Sequence, residues 1–444
     1  MIKLSPEIIT VIMLGGILLG VLLGYYTGIV VGAVGIAVGY MLFGNTVFEL
    51  VYQRLYTIVL SYPFLAAPLF IFMGAMLERS GVAETLYDAL YVWLGGLKGG
   101  LAITTILMGT ILAACVGIIG ASVTMLSLVA LPAMIKRGYS KSLASGAVCA
   151  GGTLGILIPP SIMLVIYGPM ATVSVGKLFM AAMFPGLLLS FLYCSYVGIR
   201  CLVQPTIAPP VPIEERRISF VRKTIKVIIA VVPTAIIILS VLGTIFFGLA
   251  PPTEAGAMGA FAATLLALAY RRLNYRTLRE TMVQTMRITA MIMLIGAMSV
   301  AFVGVFMSAR CGNVVQDIIL STPGGKWGVF SVIMFIIFIL GFFIEWIGIV
   351  FIIIPIVTPV GNVLGFDPVW FGMMICVNLQ MAFMTPPFAS AIFYLRGSAP
   401  RELGITMADI IKGVIPFVLL IMVALALCTL FPQIILWLPG QMIR

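Results

Sequence analysis

The sequence predicts an all-α polytopic membrane protein, and three observations carry that prediction. Of the 444 residues, 62% are hydrophobic and only 9% charged, whereas a soluble domain is nearer half apolar and a quarter charged. The mean hydropathy is +1.23, more apolar surface than a soluble fold can hide. Apolar stretches of the ~20 residues that a spanning helix needs recur from Ile8 to Leu438. They are rich in Gly, Leu and Ile and too long for the ~10-residue alternating strands of a membrane barrel, so the spans read as helices in a lipid bilayer.

The first apolar run begins at Ile8 after a single lysine, Lys3. No small-residue cleavage site stands out, so it reads as a spanning helix and not as a removed signal. Residues 1–62 form N-terminal scaffold helices, and 204–285 a linker with two more. The linker opens on a polar loop, 204–226, in which Pro205, Pro209, Pro210 and Pro212 precede Glu214, Glu215, Arg216, Arg217, Arg222, Lys223 and Lys226. A second basic cluster, Arg271, Arg272, Arg276 and Arg279, follows two apolar spans at about 227–249 and 253–270. Two crossings return the chain to the same face, and basic loops mark that face as cytoplasmic. The net charge of +11 has the same explanation and calls for no nucleic acid.

The segments flanking this linker, 63–203 and 286–432, look like two copies of one unit, with 433–444 as a tail. Pro132, Pro159 and Pro185 recur at near-constant offset as Pro355, Pro386 and Pro416, and Gly95-Gly96-Leu97-Lys98 is echoed by Gly324-Gly325-Lys326. Landmarks repeated in the same order argue for an internal duplication. Each copy reads as a spanning helix (about 63–77 and 286–307) and an amphipathic stretch (80–94 and 312–322). A long apolar segment broken in its middle follows (99–135 and 326–362), then a helix broken at Pro-Pro (141–172 and 369–396) and a closing span. The middle-broken segment is either two short crossings or one re-entrant hairpin. As a hairpin it leaves each copy with three crossings, which inverts the second copy relative to the first. All the Lys and Arg except Lys3, Arg54, Lys177, Arg310, Lys326 and Arg444 then fall on the cytoplasmic side. The first hairpin opens to the cytoplasm and the second to the periplasm.

Irregular backbone at membrane depth survives only when buried in protein or lining a cavity, and four places qualify. Gly151-Gly152-Thr153-Leu154-Gly155 leads into Pro159-Pro160-Ser161, and Asn378-Leu379-Gln380 leads into Thr385-Pro386-Pro387. Proline lacks an amide donor and clashes with the preceding turn, so the helix opens there. Opened helices present bare carbonyls to a cation and positive amino ends to an anion. The other two places are the hairpin tips, Gly117 to Thr124, which includes Gly120 and Ser122, and Gly341 to Gly348. Sodium prefers several oxygen ligands and little net charge; Ser122, Thr124, Thr153, Ser161, Asn378 and Thr385 supply them. The plainer alternative is that Pro and Gly kink these helices and that the hydroxyls bond back to their own backbone.

Glu345 stands among apolar and small neighbours at the predicted centre of the second hairpin. A charge there costs ~2.5–3.5 kcal/mol on insertion scales. It can bind a coupling cation, carry a proton or pair with an arginine; a surface loop glutamate is the competing reading. There is no histidine, which removes His-based zinc sites, haem ligation and His proton relays. The sequence also has no GxGxxG motif, no Walker loop and no Asp-rich diphosphate motif, so neither an enzyme nor ATP hydrolysis within this chain is expected. The seven cysteines are scattered without a CxxC pair and read as free thiols in apolar surroundings.

Three segments carry a resemblance: Pro68-Leu-Phe-Ile-Phe-Met-Gly-Ala-Met-Leu-Glu-Arg-Ser-Gly81, Gly151-Gly-Thr-Leu-Gly-Ile-Leu-Ile-Pro-Pro-Ser161 and Pro252-Thr-Glu-Ala255. Together they resemble the large membrane subunit of tripartite ATP-independent periplasmic (TRAP) transporters over essentially the whole chain. Asn378 to Phe388, followed by Phe393-Tyr-Leu-Arg-Gly397, is similar to the branch labelled for mannitol, chloroaromatic or 2-oxo-acid substrates. The resemblance implies an ion-transporter-superfamily fold with a scaffold and an elevator-like transport domain in the bacterial inner membrane. It implies Na⁺ coupling at the hairpin tips and broken helices, with Ser122, Thr153, Glu345 and Thr385 as candidate ligands. It further implies a small four-helix membrane subunit and a periplasmic substrate-binding protein that delivers a small organic acid. Glu345 stands where many relatives carry aspartate, and Gly120-Ala-Ser122 replaces a more Ser-rich tip. A stand-alone carboxylate carrier of the same superfamily, and a channel or receptor-like membrane module, are the rival functions.

Overall fold

The computed structural model describes residues 4–212 and 219–442, apart from the side chains of 114–116 and 220. Glu214, Glu215, Arg216 and Arg217, the Cys115 side chain, and the terminal Lys3 and Arg444 lie outside the described residues. Every regular element among the described residues is helical. Five helices are long and apolar enough to cross a membrane, or up to seven if each of two bent pairs is one span.

The chain opens with α1 (Pro6–Leu22), α2 (Thr27–Phe43) and the amphipathic α3 (Thr46–Val59). The first copy follows as α4 (Ala66–Arg79), α5 (Val82–Leu94), a hairpin of α6 (Gly100–Val116) and α7 (Ile119–Lys136), a broken helix of α8 (Lys141–Thr153) and α9 (Ile162–Ala171), and the closing α10 (Val175–Val203). The linker contributes α11 (Phe220–Ile238), which continues through one wide turn into α12 (Thr244–Phe246), and α13 (Pro252–Ala269). The second copy repeats the order as α14 (Tyr275–Ser308) and α15 (Cys311–Leu320), then a hairpin of α16 (Gly325–Leu340) with α17 (Trp346–Ile352) and α18 (Ile354–Val363). A broken helix of α19 (Pro368–Ala382) and α20 (Ser390–Ser398) and the closing α21 (Met407–Leu430) complete it, with α22 (Gln433–Gly440) beyond.

Three boundaries differ from the sequence reading. The helix expected at 286–307 starts at Tyr275, so the linker boundary at 285 falls inside α14. Hydropathy ends where polar residues begin, but the helix continues until Asn274 caps it by accepting from the Thr277 amide at 2.8 Å. The tail at 433–444 contains α22, which packs on α10 through Phe184 and Trp437. The return arm of the second hairpin bends by 54° between α17 and α18, where Pro355 interrupts the backbone hydrogen bonding.

The helices fall into two packed groups that also touch each other, α14 on α17 and α4 on α6 and α9. α14 packs most extensively on α2, α3 and α4, and α4 on α13, which makes a scaffold. The hairpins, broken helices and closing spans α10 and α21 form a bundle around α8 and α19. Without a hydrophobic drive between helices in lipid, small residues decide how closely backbones approach. A Cβ on Gly152 would lie 2.4 Å from a Val123 methyl and 3.0 Å from its Cα; glycine therefore seats α7 directly on α8. Side-chain caps fix where the second broken helix and the closing span begin. Asp367 accepts from the amides of Val369 and Trp370 at 2.8 and 3.0 Å, and Thr406 and Asp409 cap α21 reciprocally.

Candidate functional site

The breaks fall at the expected proline and glycine clusters but are shorter than the sequence suggests: Gly120, Ser122 and Thr124 lie in the first turns of α7, Gly151 to Thr153 end α8, and Asn378 to Gln380 lie within α19. The first hairpin turns at Gly117, whose φ of 63° is the left-handed conformation that glycine tolerates. It lies against the first broken helix, where α8 gives way at Leu154 and helix resumes only at Ile162. The second hairpin turns through Gly341–Ile344, placing Glu345 at the start of α17. Its companion break runs from Phe383 to Ala389, and both Pro-Pro bonds are cis.

The two copies then exchange contacts. A Cβ on Gly120, in the first hairpin, would meet the Tyr394 ring of the second broken helix at 2.9 Å. Ser127 and Ser398 share a hydrogen bond of 2.5 Å across the same junction. Reciprocally, α17 of the second hairpin packs on α9 of the first broken helix. A cavity of about 410 Å³ opens where these contacts meet the scaffold, with Gly120, Thr124, Glu345, Ser390 and Tyr394 on the bundle side. Glu78 of α4 and Gln284 of α14 face it from the scaffold. That volume suits a small organic solute.

Two carboxylates and no basic side chain line this cavity. Glu345 is half-buried, and its carboxylate makes no hydrogen bond or ion pair with any described residue. One carboxylate oxygen of Glu78 is buried without a hydrogen-bond partner. Two like charges in a low-dielectric pocket repel unless a cation or proton offsets one of them.

Of the residues singled out from the sequence, Gly117, Gly120, Thr124 and Glu345 line the cavity. Ser122 is buried behind it, with its hydroxyl unpartnered and facing Gly155. Gly151 and Gly152 serve close packing against α6 and α7. Thr153 donates to the Ala150 carbonyl at 3.1 Å, Thr385 to Met381 at 2.8 Å, and Ser161 to Ile156. These hydroxyls bond back to their own chain and keep only acceptor lone pairs for another partner. Asn378 donates to the Met334 carbonyl at 2.8 Å, tying the second broken helix to its hairpin. The Pro160 carbonyl lies beside Gly117 at the first tip, and Pro386 lies in the second break. Gly348 faces the scaffold, where a Cβ would stand 3.5 Å from Thr27 of α2. Sequence reasoning assigned none of Tyr394, Ser390, Glu78 and Gln284 to the site, although Glu78 and Tyr394 lie within the segments that carry the resemblance. The first two follow the Pro-Pro motif by a few residues; Glu78 and Gln284 sit near the ends of apolar runs, where polarity reads as a membrane boundary.

A solute-sized cavity between two packed bodies, walled by hairpin tips and opened helices, defines a membrane transporter. The fold is that of a solved transporter: the structure of the Alcanivorax borkumensis YdaH transporter superposes with a TM-score of 0.61 at 14% identity, covering 88% of this chain and 89% of that one. The sequence matches the family of the tripartite ATP-independent periplasmic transporter, DctM component, over residues 12–434, and the chain belongs to that family. It is 31% identical over 85% of its length, and 86% of the relative's, to the C4-dicarboxylate TRAP transporter large permease protein of Pseudomonas aeruginosa. It is 29% identical to the ectoine TRAP transporter large permease protein of Halomonas elongata, over 90% of this chain and 91% of that one. The chain is thus a multi-pass inner-membrane permease subunit of an ATP-independent transporter and not an enzyme. A tripartite system implies a small membrane subunit and a periplasmic binding protein beside it.

Proposed function

We propose that this chain imports a small organic acid, received from a periplasmic binding protein and driven by a sodium gradient, with the bundle moving against the scaffold as an elevator. The observation that carries the proposal is the position of the cavity on the seam between the two bodies. There, a moving bundle would carry a bound solute from one side of the membrane to the other. The small subunit would brace the scaffold, and the two copies would be inverted relative to each other.

The residues fit a coupling cation best at the first tip. Ser122 has a buried hydroxyl with no partner beside Gly155, and a buried oxygen without a partner is costly unless something supplies one. A sodium ion there would take Ser122, with the hydroxyl oxygen of Thr153 within the same break. Glu345 would offset a second cation or carry a proton, and Thr385 has an acceptor lone pair to offer. The ion would neutralise negative charge as a solute carboxylate enters, and the amino ends of α9 and α20 would face that carboxylate. The relatives' names speak of C4-dicarboxylates and ectoine; the sequence branch suggests a mannitol-like, chloroaromatic or 2-oxo-acid cargo.

Uptake into proteoliposomes holding this chain and its small partner, with the cognate binding protein outside, tests the reading. Accumulation should require both an inward Na⁺ gradient and the binding protein. Uptake without the binding protein would favour a stand-alone carrier, and uptake indifferent to replacing Na⁺ with K⁺ would sink the sodium assignment.

A further inference from the structure

A second cavity, of about 350 Å³, occupies the other end of the same seam. Three structural units line both cavities. α14 contributes Gln284 to Ile292 to the first and Val300 to Met307 to the second; α9 contributes Ile162 and then Pro169; the α17–α18 arm contributes Ile347 and then Phe351 and Pro355. Only about 12 Å of helix axis separates Ile292 from Val300. Phe351 closes the gap: its ring stacks on Phe64 with centroids 5.9 Å apart, and Gly296 lets it approach so closely that a Cβ there would meet the ring at 2.7 Å. By the basic-residue bias, this second cavity faces the periplasm.

Its charge is opposite to that of the first. Arg54 of α3 is the one ionisable side chain among the described residues lining it, beside Thr57 and Ser61 on otherwise apolar walls. Arg54 is exposed and makes no ion pair or hydrogen bond with any described residue. Its stem lies over Gly304, where a Cβ would come within 3.0 Å of the Arg54 Cγ. An unpaired guanidinium offers a planar fork of donors matched to a carboxylate or phosphate.

We propose that Arg54 is an oxyanion-binding residue at the outer end of this path, taking the carboxylate of the solute before it reaches the cavity of Glu345 and Glu78. The inner cavity has no basic side chain, so an entering carboxylate meets its favourable side-chain charge here. A lipid phosphate shares that chemistry, but the pocket lies between scaffold and bundle and not on the scaffold's outer face. The inference rests on the transport reading only for the identity of the ligand.

Charged thiol reagents test the site without knowledge of the cargo. Val303→Cys is introduced into the complete transporter, with the unsubstituted protein as the labelling blank and Met307→Cys as a second position. Modification by an anionic methanethiosulfonate reagent is compared with modification by a cationic one. The anionic reagent should be favoured, and R54Q should lower the anionic-to-cationic rate ratio about tenfold, whereas R54K should keep most of it. An unchanged ratio in R54Q at both positions would overturn the proposal. Repeating the labelling in phosphatidylglycerol nanodiscs separates the two sources of oxyanion. An R54Q effect on the ratio that is seen in maltoside micelles but lost in those membranes, whose surface charge acts on both proteins alike, would assign Arg54 to a lipid headgroup and overturn the solute role. Retention in both supports the solute site, even if sodium dependence of uptake fails.

Discussion

At the residue scale, Glu345 and Ser122 show how burial turns a side chain into a candidate for chemistry. Glu345 faces a cavity lined by a second carboxylate and by no basic side chain. Removing its charge while keeping its shape should separate function from folding. Glu345→Gln should lower sodium-driven uptake at least tenfold, while its thermal unfolding midpoint stays level or rises, because the amide spares the desolvation of an unpaired charge. Wild-type uptake in this variant would exclude Glu345 as a cation or proton carrier. Ser122 differs in kind, because its hydroxyl is buried and lacks a partner, whereas those of Thr153, Ser161 and Thr385 are satisfied by their own backbone. Of these, only the Ser122 hydroxyl is buried without such a bond to its own chain.

At the scale of the element, broken helices need defined ends as well as defined breaks. The closing span α21 follows the second broken helix, and its first turn is held by Thr406 and Asp409. The Thr406 hydroxyl accepts from the Asp409 amide at 3.2 Å, while the Asp409 carboxylate accepts from the Thr406 amide at 2.9 Å. This reciprocal cap satisfies two amides that the helix itself cannot. Thr406→Ala should cost about 1 kcal/mol, seen as a lower unfolding midpoint in detergent, with little change in uptake per folded molecule. An unchanged midpoint would mean that packing against α8 and α19, and not the cap, fixes where α21 begins.

At the scale of the whole molecule, the seam between scaffold and bundle is the mechanical feature. Phe64 precedes α4 on the scaffold side, Phe351 belongs to the second hairpin, and their rings stack between the two cavities. If the bundle moves, this contact must break in every cycle. Pinning it should stop transport. F64C/F351C bridged by mercuric ion should lose uptake and regain it on adding dithiothreitol, with the single variants unaffected. Uptake that continues through a bridged pair would rule out movement along this seam. The same geometry places Arg54 and Glu345 at opposite ends of one path, which neither residue's neighbours in the sequence reveal.

The sequence by itself determined the class of structure and the order of its parts. Apolar runs report helices in lipid because a bilayer leaves backbone polar groups no alternative partner, and Pro-Pro and glycine clusters report breaks because proline removes a donor. The duplicated landmarks, the hairpins and Glu345 were all legible on those grounds. Tertiary structure alone decided which residues share a cavity. Gly120 meets Tyr394, and Glu78 and Gln284 share a cavity with Glu345, because hairpin tips of one copy pack on broken helices of the other and both pack on the scaffold. Such contacts join residues far apart in the chain, and periodicity and hydropathy, which describe each segment by itself, contain no record of them.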